Sequence, residues 1–349
     1  MSYIKKKNLY KLYIIVLLLS LLVAILISTT LGTIKIPVYD VARIIASKLK
    51  LLDNYVDISD IKKSNIFIVL NIRLPRIILA SLVGAVLSLV GTSYQAIFKN
   101  PMADPFVMGA SSGAAFGATI AIVIGVDKGI LGFGIISLLA FVGALVTTIV
   151  VYNLAREGNK LSTTSILLAG IVMSAVLSSV IRLMMILNHD NLERIVTWTM
   201  GSFNGASWRQ ILFITIPIIL GTGCLVSLAR EMNTIVLGEE SAQNLGINVE
   251  FVKKLIIVIS SFLAASAVAV SGIIGFVGLI VPHLFRLVFG SDHRILLPVS
   301  AIGGAIFLLI CDTLARASII GIEIPVGIIT SIFGGPFFLY LLRRSRGVK

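Results

Sequence analysis

The strongest constraint in this sequence is a series of apolar runs, most of about twenty residues, that recur from one end to the other between short polar breaks. A helix needs roughly 20 mostly apolar residues to cross the hydrocarbon core of a bilayer. Within lipid, every backbone N–H and C=O must find its partner inside the spanning structure, so such runs have to be helical. They lie near 9–31, 74–97, 106–125, 132–153, 165–187, 209–229, 254–271, 274–289, 296–315 and 325–342. The expected fold is therefore an all-α integral membrane protein of about ten transmembrane helices, with residues 1–349 forming a single domain. The eighth run is the shortest and ends in Pro282, His283 and Arg286.

Composition agrees with lipid as the solvent. Hydrophobic residues make up 57% and charged residues 13%, against about 45–50% and about 25% in soluble domains. The net charge of +13, from 29 basic and 16 acidic residues, does not point to nucleic acid. The basic residues fall in the breaks and tails, where they face lipid head groups or a partner protein. Lys5, Lys6 and Lys7 precede the first run as in a signal peptide. That run, however, exceeds the roughly 7–15 residues of a signal core, so a retained first helix is expected. Lys5, Lys6, Lys7 and Lys11 at one end, and Arg343, Arg344, Arg346 and Lys349 at the other, put both termini on the cytoplasmic side. The 33–65 loop then lies outside despite Lys35, Arg43, Lys48, Lys50, Lys62 and Lys63, which Asp40, Asp53, Asp57 and Asp60 only partly offset.

No catalytic or metal-binding constellation emerges. Cys224 and Cys311 sit in separate apolar runs and read as two buried thiols. His189, His283 and His293 form no ligand array, and Asp190 with Glu193 has neither a nucleophile nor a metal partner. No GxxxxGK[ST] phosphate loop is present, so nucleotide hydrolysis falls to another subunit if ATP drives this chain. Two loops are long enough for structure of their own. The polar 230–253 loop can hold short helices broken at Gly246, with Ala242 and Leu245 on one side. The 188–208 loop can hold an outer-surface helix flanked by Trp198 and Trp208 as interfacial anchors.

Gly109, Ala110, Gly113, Ala114, Gly117 and Ala118 repeat small side chains every three to four residues, and Gly84, Gly91 and Gly303 with Gly304 read the same way. Such stripes let membrane helices approach closely, and lining a pathway is the other reading. Asp312 and Arg316 stand at i, i+4 and either pair within their helix or leave Arg316 to dock or gate. Arg73 and Arg76, one turn apart, suit carboxylates of a partner protein, or else lipid phosphates.

A series of segments resembles the permease family of iron-siderophore and vitamin B12 ABC importers, the FecCD-type or type II importers. They are RLPRIILASLVGAVLSLVGTSYQAIFKNPMADPFVMGASSGAAFGA at 73–118, LSTTSILLAG at 161–170 and GEESAQNLGI at 238–247. SGIIGFVGLIVPHLFRLVFGSDHRILLP at 271–298, DTLAR at 312–316 and IPVGIITSIFGGPFFLYLL at 324–342 follow in the same order. The match is loosest in the first run and the loop after it.

The resemblance implies a type II ABC importer permease fold of ten spans that pairs with a second permease, identical or sister, around one translocation pathway. It implies two cytoplasmic ATPase subunits, which carry the ATP and Mg, docked on a 238–251 coupling loop through Gly238, Glu239, Glu240, Ala242, Leu245 and Gly246. It further implies an extracytoplasmic substrate-binding protein received by Arg73, Arg76 and Arg316. A translocation gate would be formed by Asn100, Met102, Thr163 and Thr164, with no cofactor or metal held by this chain. The expected function is import of an iron-siderophore-type metal chelate by alternating access across a bacterial cytoplasmic membrane, with haem or cobalamin as other cargoes. A secondary transporter coupled to ions through Asp312 is the rival class. It would need more acidic residues at mid-membrane than this sequence has.

Overall fold

A computed structural model describes residues 3–32, 34–48, 56–125, 132–158, 160–318 and 323–346. The chain is helical almost throughout. In order come α1 (Tyr3–Thr30), α2 (Val38–Ala46), α3 (Lys63–Phe67), a π-helical turn (Ile68–Arg73), α4 (Leu74–Ile97), α5 (Ala110–Ile124) and α6 (Gly132–Ala155). A two-residue antiparallel pair, β1 (Arg156–Glu157) with β2 (Lys160–Leu161), closes the turn into α7 (Thr163–Leu187). Then follow α8 (Leu192–Thr199), α9 (Trp208–Ser227), α10 (Ala229–Leu237), α11 (Glu239–Asn244), α12 (Val249–Ser271), α13 (Val277–Phe289), α14 (His293–Ala317) and α15 (Val326–Arg346).

Among the described residues, seven helical segments are long and apolar enough to cross a bilayer, and three shorter apolar helices accompany them, Ala110–Ile124, Val277–Phe289 and Val326–Tyr340. The short ones have local causes. Pro101, Pro105 and the left-handed Gly109 (φ 74°) occupy the turn before α5, so its helix starts at Ala110 rather than near residue 106. Gly272 (φ 68°) and Phe276 (φ 69°) both take positive φ and hold off the start of α13 until Val277. The segment expected as a loop before the second span is partly helical. Helix runs continuously from Lys63 to Ile97, with the wide π turn just ahead of Pro75, whose missing N–H removes one donor from the ladder. Farther out, α2 is held to the 57–60 turn by Arg43, which pairs with Asp60 at 2.6 Å. The 126–131 loop, residues 33 and 49–55 of the 32–73 loop and residues 319–322 of the 316–324 loop lie outside the described residues, as do the side chains of Lys5, Lys6, Lys7, Arg344 and Arg346 and residue Lys349.

Burial sorts the helices into layers. In their most apolar stretches α12 and α14 are 72% and 67% buried, against 11%, 17% and 22% for α1, α7 and α9. The outer helices expose leucine, isoleucine and valine, which suits lipid. The inner ones pack backbone on backbone. A Cβ at Gly84 would run into the Gly304 carbonyl, and one at Gly91 into the Gly278 carbonyl, so α4 lies directly on α14 and α13. The small-residue stripe of α5 is a packing surface. Gly113 and Gly117 abut α6 at Gly143 and Leu139, while Ala110, Ala114 and Ala118 cluster with Ala265 and Val268 of α12. Cys311 is buried as expected, but Cys224 is exposed, because α9 turns that face outward. In the 188–208 segment, Trp198 packs inward, and Trp208 donates its indole N–H to the Leu70 carbonyl at 3.1 Å.

Candidate functional site at the two ends of helix α14

Helix α14 links two polar centres. Asp292, its N-cap, and Arg316, near its other end, stand about 36 Å apart at a rise of about 1.5 Å per residue.

At the Arg316 end, Asp312 is fully buried between two guanidinium groups. Arg76 Nε reaches its Oδ1 at 3.0 Å, and Arg316 Nε reaches its Oδ2 at 3.1 Å. Arg76 also pairs through Nη1 with Glu323 at 3.0 Å, and Glu323 is about half exposed. Helix α1 has no basic residue in its last turn, so its terminal carbonyls need donors from elsewhere. Arg73 supplies them to Thr29 (2.7 Å), Thr30 (3.2 Å) and Ile34, while Arg316 donates to Ser28 (3.3 Å) and Leu31 (3.5 Å). The sequence-predicted trio Arg73, Arg76 and Arg316 is thus brought together and buried, each at 8% exposure or less. In this conformation the arginines tie α1, α4 and α14 to one another. Beside them opens a cleft of about 190 Å³, lined by Gly32, Ile72, the three arginines and Glu323. A larger recess of about 750 Å³, with Glu193, Trp198, Asn204, Gln210 and Ser271 among its walls, also reaches Glu323.

At the opposite end, α10 and α11 form an arm between α9 and α12. Its turns depend on glycine. Gly238 (φ 152°) separates the two helices and Gly246 (φ 82°) ends the second, both in a region that other residues rarely adopt. Ala242 points into the core and is fully buried. Leu245, just past the end of α11, is 73% exposed, as is Leu237 at 81%. The pair expected on one side is therefore split, because the helix ends at Asn244. Glu239 anchors the arm to α12 through the buried Lys253 at 2.7 Å, while Glu240 is exposed. At the α14 N-terminus, burial disfavours the charge on Asp292. Hydrogen bonds from Asn233 and from the amide and guanidinium of Arg294 outweigh it and hold the carboxyl below the usual range.

The remaining site residues lie at helix boundaries. Asn100 folds its side chain back onto the Met102 amide at 2.9 Å, and both residues are half-buried. In the same turn, burial pushes the Asp104 carboxyl up to about 6, against the pull of the Phe106 amide bonded to it. Thr163 and the exposed Thr164 open α7, which Ser162 caps through the Ser165 amide at 3.4 Å. The two segments approach where the Val107 carbonyl closes on Gly170. Among the described residues, no hydrogen bond joins Asn100 or Met102 to Thr163 or Thr164. Sequence reasoning missed Glu323, Lys253 and the Asn233–Asp292–His293 group. Only Asp292 carried a signal, an N-cap residue type three positions ahead of the apolar run that starts at Ile295.

Comparison with known proteins places this architecture. The FecCD transport family matches residues 20–344. The cobalamin import system permease protein BtuC of Halobacterium salinarum is 44% identical over 282 residues, 79% of this chain and 73% of that protein. The hemin transport system permease protein HmuU of Yersinia pestis is 42% identical over 288 residues, 79% of this chain and 83% of that protein. Among solved structures, an inward-facing metal-chelate type ABC transporter superposes with a TM-score of 0.81 at 32% identity, covering 95% of this chain and 98% of its own.

Proposed function

The chain belongs to the FecCD transport family, and from that premise we propose that it carries an iron-siderophore-type metal chelate into the cytoplasm by alternating access. It is a multi-pass permease subunit of an ABC importer, with ATP hydrolysis on separate subunits. Two permease copies, identical or sister, line the pathway in the cytoplasmic membrane of a bacterium, with both termini cytoplasmic. The α10–α11 arm faces the cytoplasm and receives the ATPase. The arginine cluster faces outward and receives the binding protein.

The observation that carries this reading is the contrast between the arm and its surroundings. Leu237 and Leu245 stand exposed on a polar segment that is anchored to the core through Ala242 and Lys253. Apolar side chains held out on a fixed base suit a protein partner better than water. At the other end, Glu323 occupies Arg76 as a carboxylate of a docking protein would, and it is the exposed member of the cluster. In the proposed cycle, closure of the ATPases moves the arm and exchanges one arrangement of the gate at Asn100, Met102, Thr163 and Thr164 for another. The ion-coupled alternative loses its residue, since Asp312 is held between Arg76 and Arg316 at one end of the bundle. Haem and cobalamin stay as alternative cargoes because relatives carry those names.

The test is uptake of radiolabelled ferric siderophore into proteoliposomes containing this chain, its ATPase and its binding protein, with haem and cobalamin as competitors. Accumulation that requires ATP and resists both competitors is the expected result. Accumulation of haem or cobalamin alone would replace the cargo, and ATP-independent uptake would remove the mechanism.

A further inference from the structure

Asn233 makes three polar contacts to the first residues of α14. Its Nδ2 donates to Asp292 Oδ1 at 2.8 Å, while its Oδ1 accepts from the His293 amide at 2.8 Å and meets His293 Nδ1 at 2.8 Å. The carboxylate of Asp292 can only accept, so the amide group of Asn233 must point to it. That leaves only the carbonyl oxygen for His293, and its Nδ1 therefore carries the proton. His293 is 2% exposed, and its Nε2 has no hydrogen-bond partner among the described residues. Asn233 thus fixes the orientation of a buried imidazole through its Nδ1.

These contacts join α10 to the N-terminus of α14. Asn233 belongs to α10, which leads into α11 across the single residue Gly238, so the two helices form a short arm. The other contacts of α10 with the bundle include Met232 and Ile235 buried in the core. Apolar packing is non-directional and permits sliding, whereas three short hydrogen bonds fix register. α13 and α4 are tied together near this end by Arg286, which donates to Gln95 at 2.8 Å, while Gln95 reaches the Gly278 carbonyl at 3.4 Å. At its far end α14 carries Asp312 and Arg316.

We propose that Asn233 is a positioning residue that locks the α10–α11 arm to the N-terminus of α14 and thereby converts displacement of the arm into displacement of α14. The inference rests on the reading that this arm meets the ATPase. Without Asn233 the ATPase still binds and turns over, but its stroke is lost as slip between α10 and α14.

The experiment uses the complete transporter in proteoliposomes and reads substrate moved per ATP hydrolysed. Asn233→Asp sets two carboxylates face to face and breaks the tie to Asp292 while keeping the acceptor for His293. The expected result is ATPase binding and hydrolysis within about twofold of the parent and a loss of about tenfold in transport per ATP. Asn233→Ala, which introduces no charge and leaves Asp292 free to cap the Arg294 amide, should uncouple likewise. Unchanged transport per ATP in both variants, or a fall in ATPase binding or hydrolysis that accounts for the lost transport, would overturn the proposal. The arm reading is tested separately. If Leu245→Glu keeps the ATPase bound, that reading falls, while Asn233→Ala still reports on the tie itself.

Discussion

The two ends of α14 spend their polar groups differently. Around Arg316, three guanidinium groups, two carboxylates and the C-terminal carbonyls of α1 satisfy one another, and only Glu323 reaches well into solvent. Around Asp292, the adjoining arm keeps Ala242 inside and is tied to the buried Lys253 of α12, but holds Leu237, Leu245 and Glu240 out. One end is closed on itself, and the other is left open on a fixed base. A closed cluster stabilises the chain that contains it, whereas an open one has its use in a complex. Substitutions at the buried members of the first should therefore act mainly on stability, with docking of the binding protein read at the exposed Glu323, and substitutions at the second on assembly with the ATPase.

The largest effect is expected at the closed end. Asp312→Ala would leave Arg76 and Arg316 buried without their shared anion, a loss of about 3–5 kcal/mol, visible as a sharp drop in the thermal midpoint of the purified chain. A near-parental midpoint would show that the arginines turn out to solvent and that the cluster is not closed. Next comes the helix packing beneath it. Gly91→Ala drives a methyl group into the Gly278 carbonyl, with no flexible side chain to yield. It should cost about 1–3 kcal/mol, measured in the same way, and a neutral result would mean that α4 and α13 are farther apart than described. Glu323→Gln should cost less than about 1 kcal/mol, since that pair is half exposed and screened. The variant sharpens the comparison by asking whether binding-protein affinity changes while the midpoint barely does. A fall as large as that for Asp312→Ala would make Glu323 part of the closed core. The smallest stability effect, within about 0.5 kcal/mol, is expected for Leu245→Ser on the exposed tip of the arm.

Much of the architecture could be read from the apolar runs, because lipid forces each of them to be helical whatever it packs against. Helix starts were harder. α5 and α13 begin late because of backbone angles at Gly109, Gly272 and Phe276, and periodicity carries no sign of a positive φ at phenylalanine. The arginines were legible as a motif, but their condition was not. Arg76 finds Asp312 at a sequence separation of 236, and nothing local in RLPR or DTLAR says that the two share one buried site. Ala242 and Leu245 had the spacing of a shared face, yet the helix ends between them. Asn233 carried no signal at all, since its meaning lies in residues 59 and 60 positions away.

The most direct test of the division between closed and open ends is one comparison on Leu245→Glu: thermal midpoint, co-purification of the ATPase and ATP-dependent uptake in the same preparation. The account predicts an unchanged midpoint, loss of the ATPase from the complex and loss of uptake together. A variant that retains both the ATPase and uptake would contradict it.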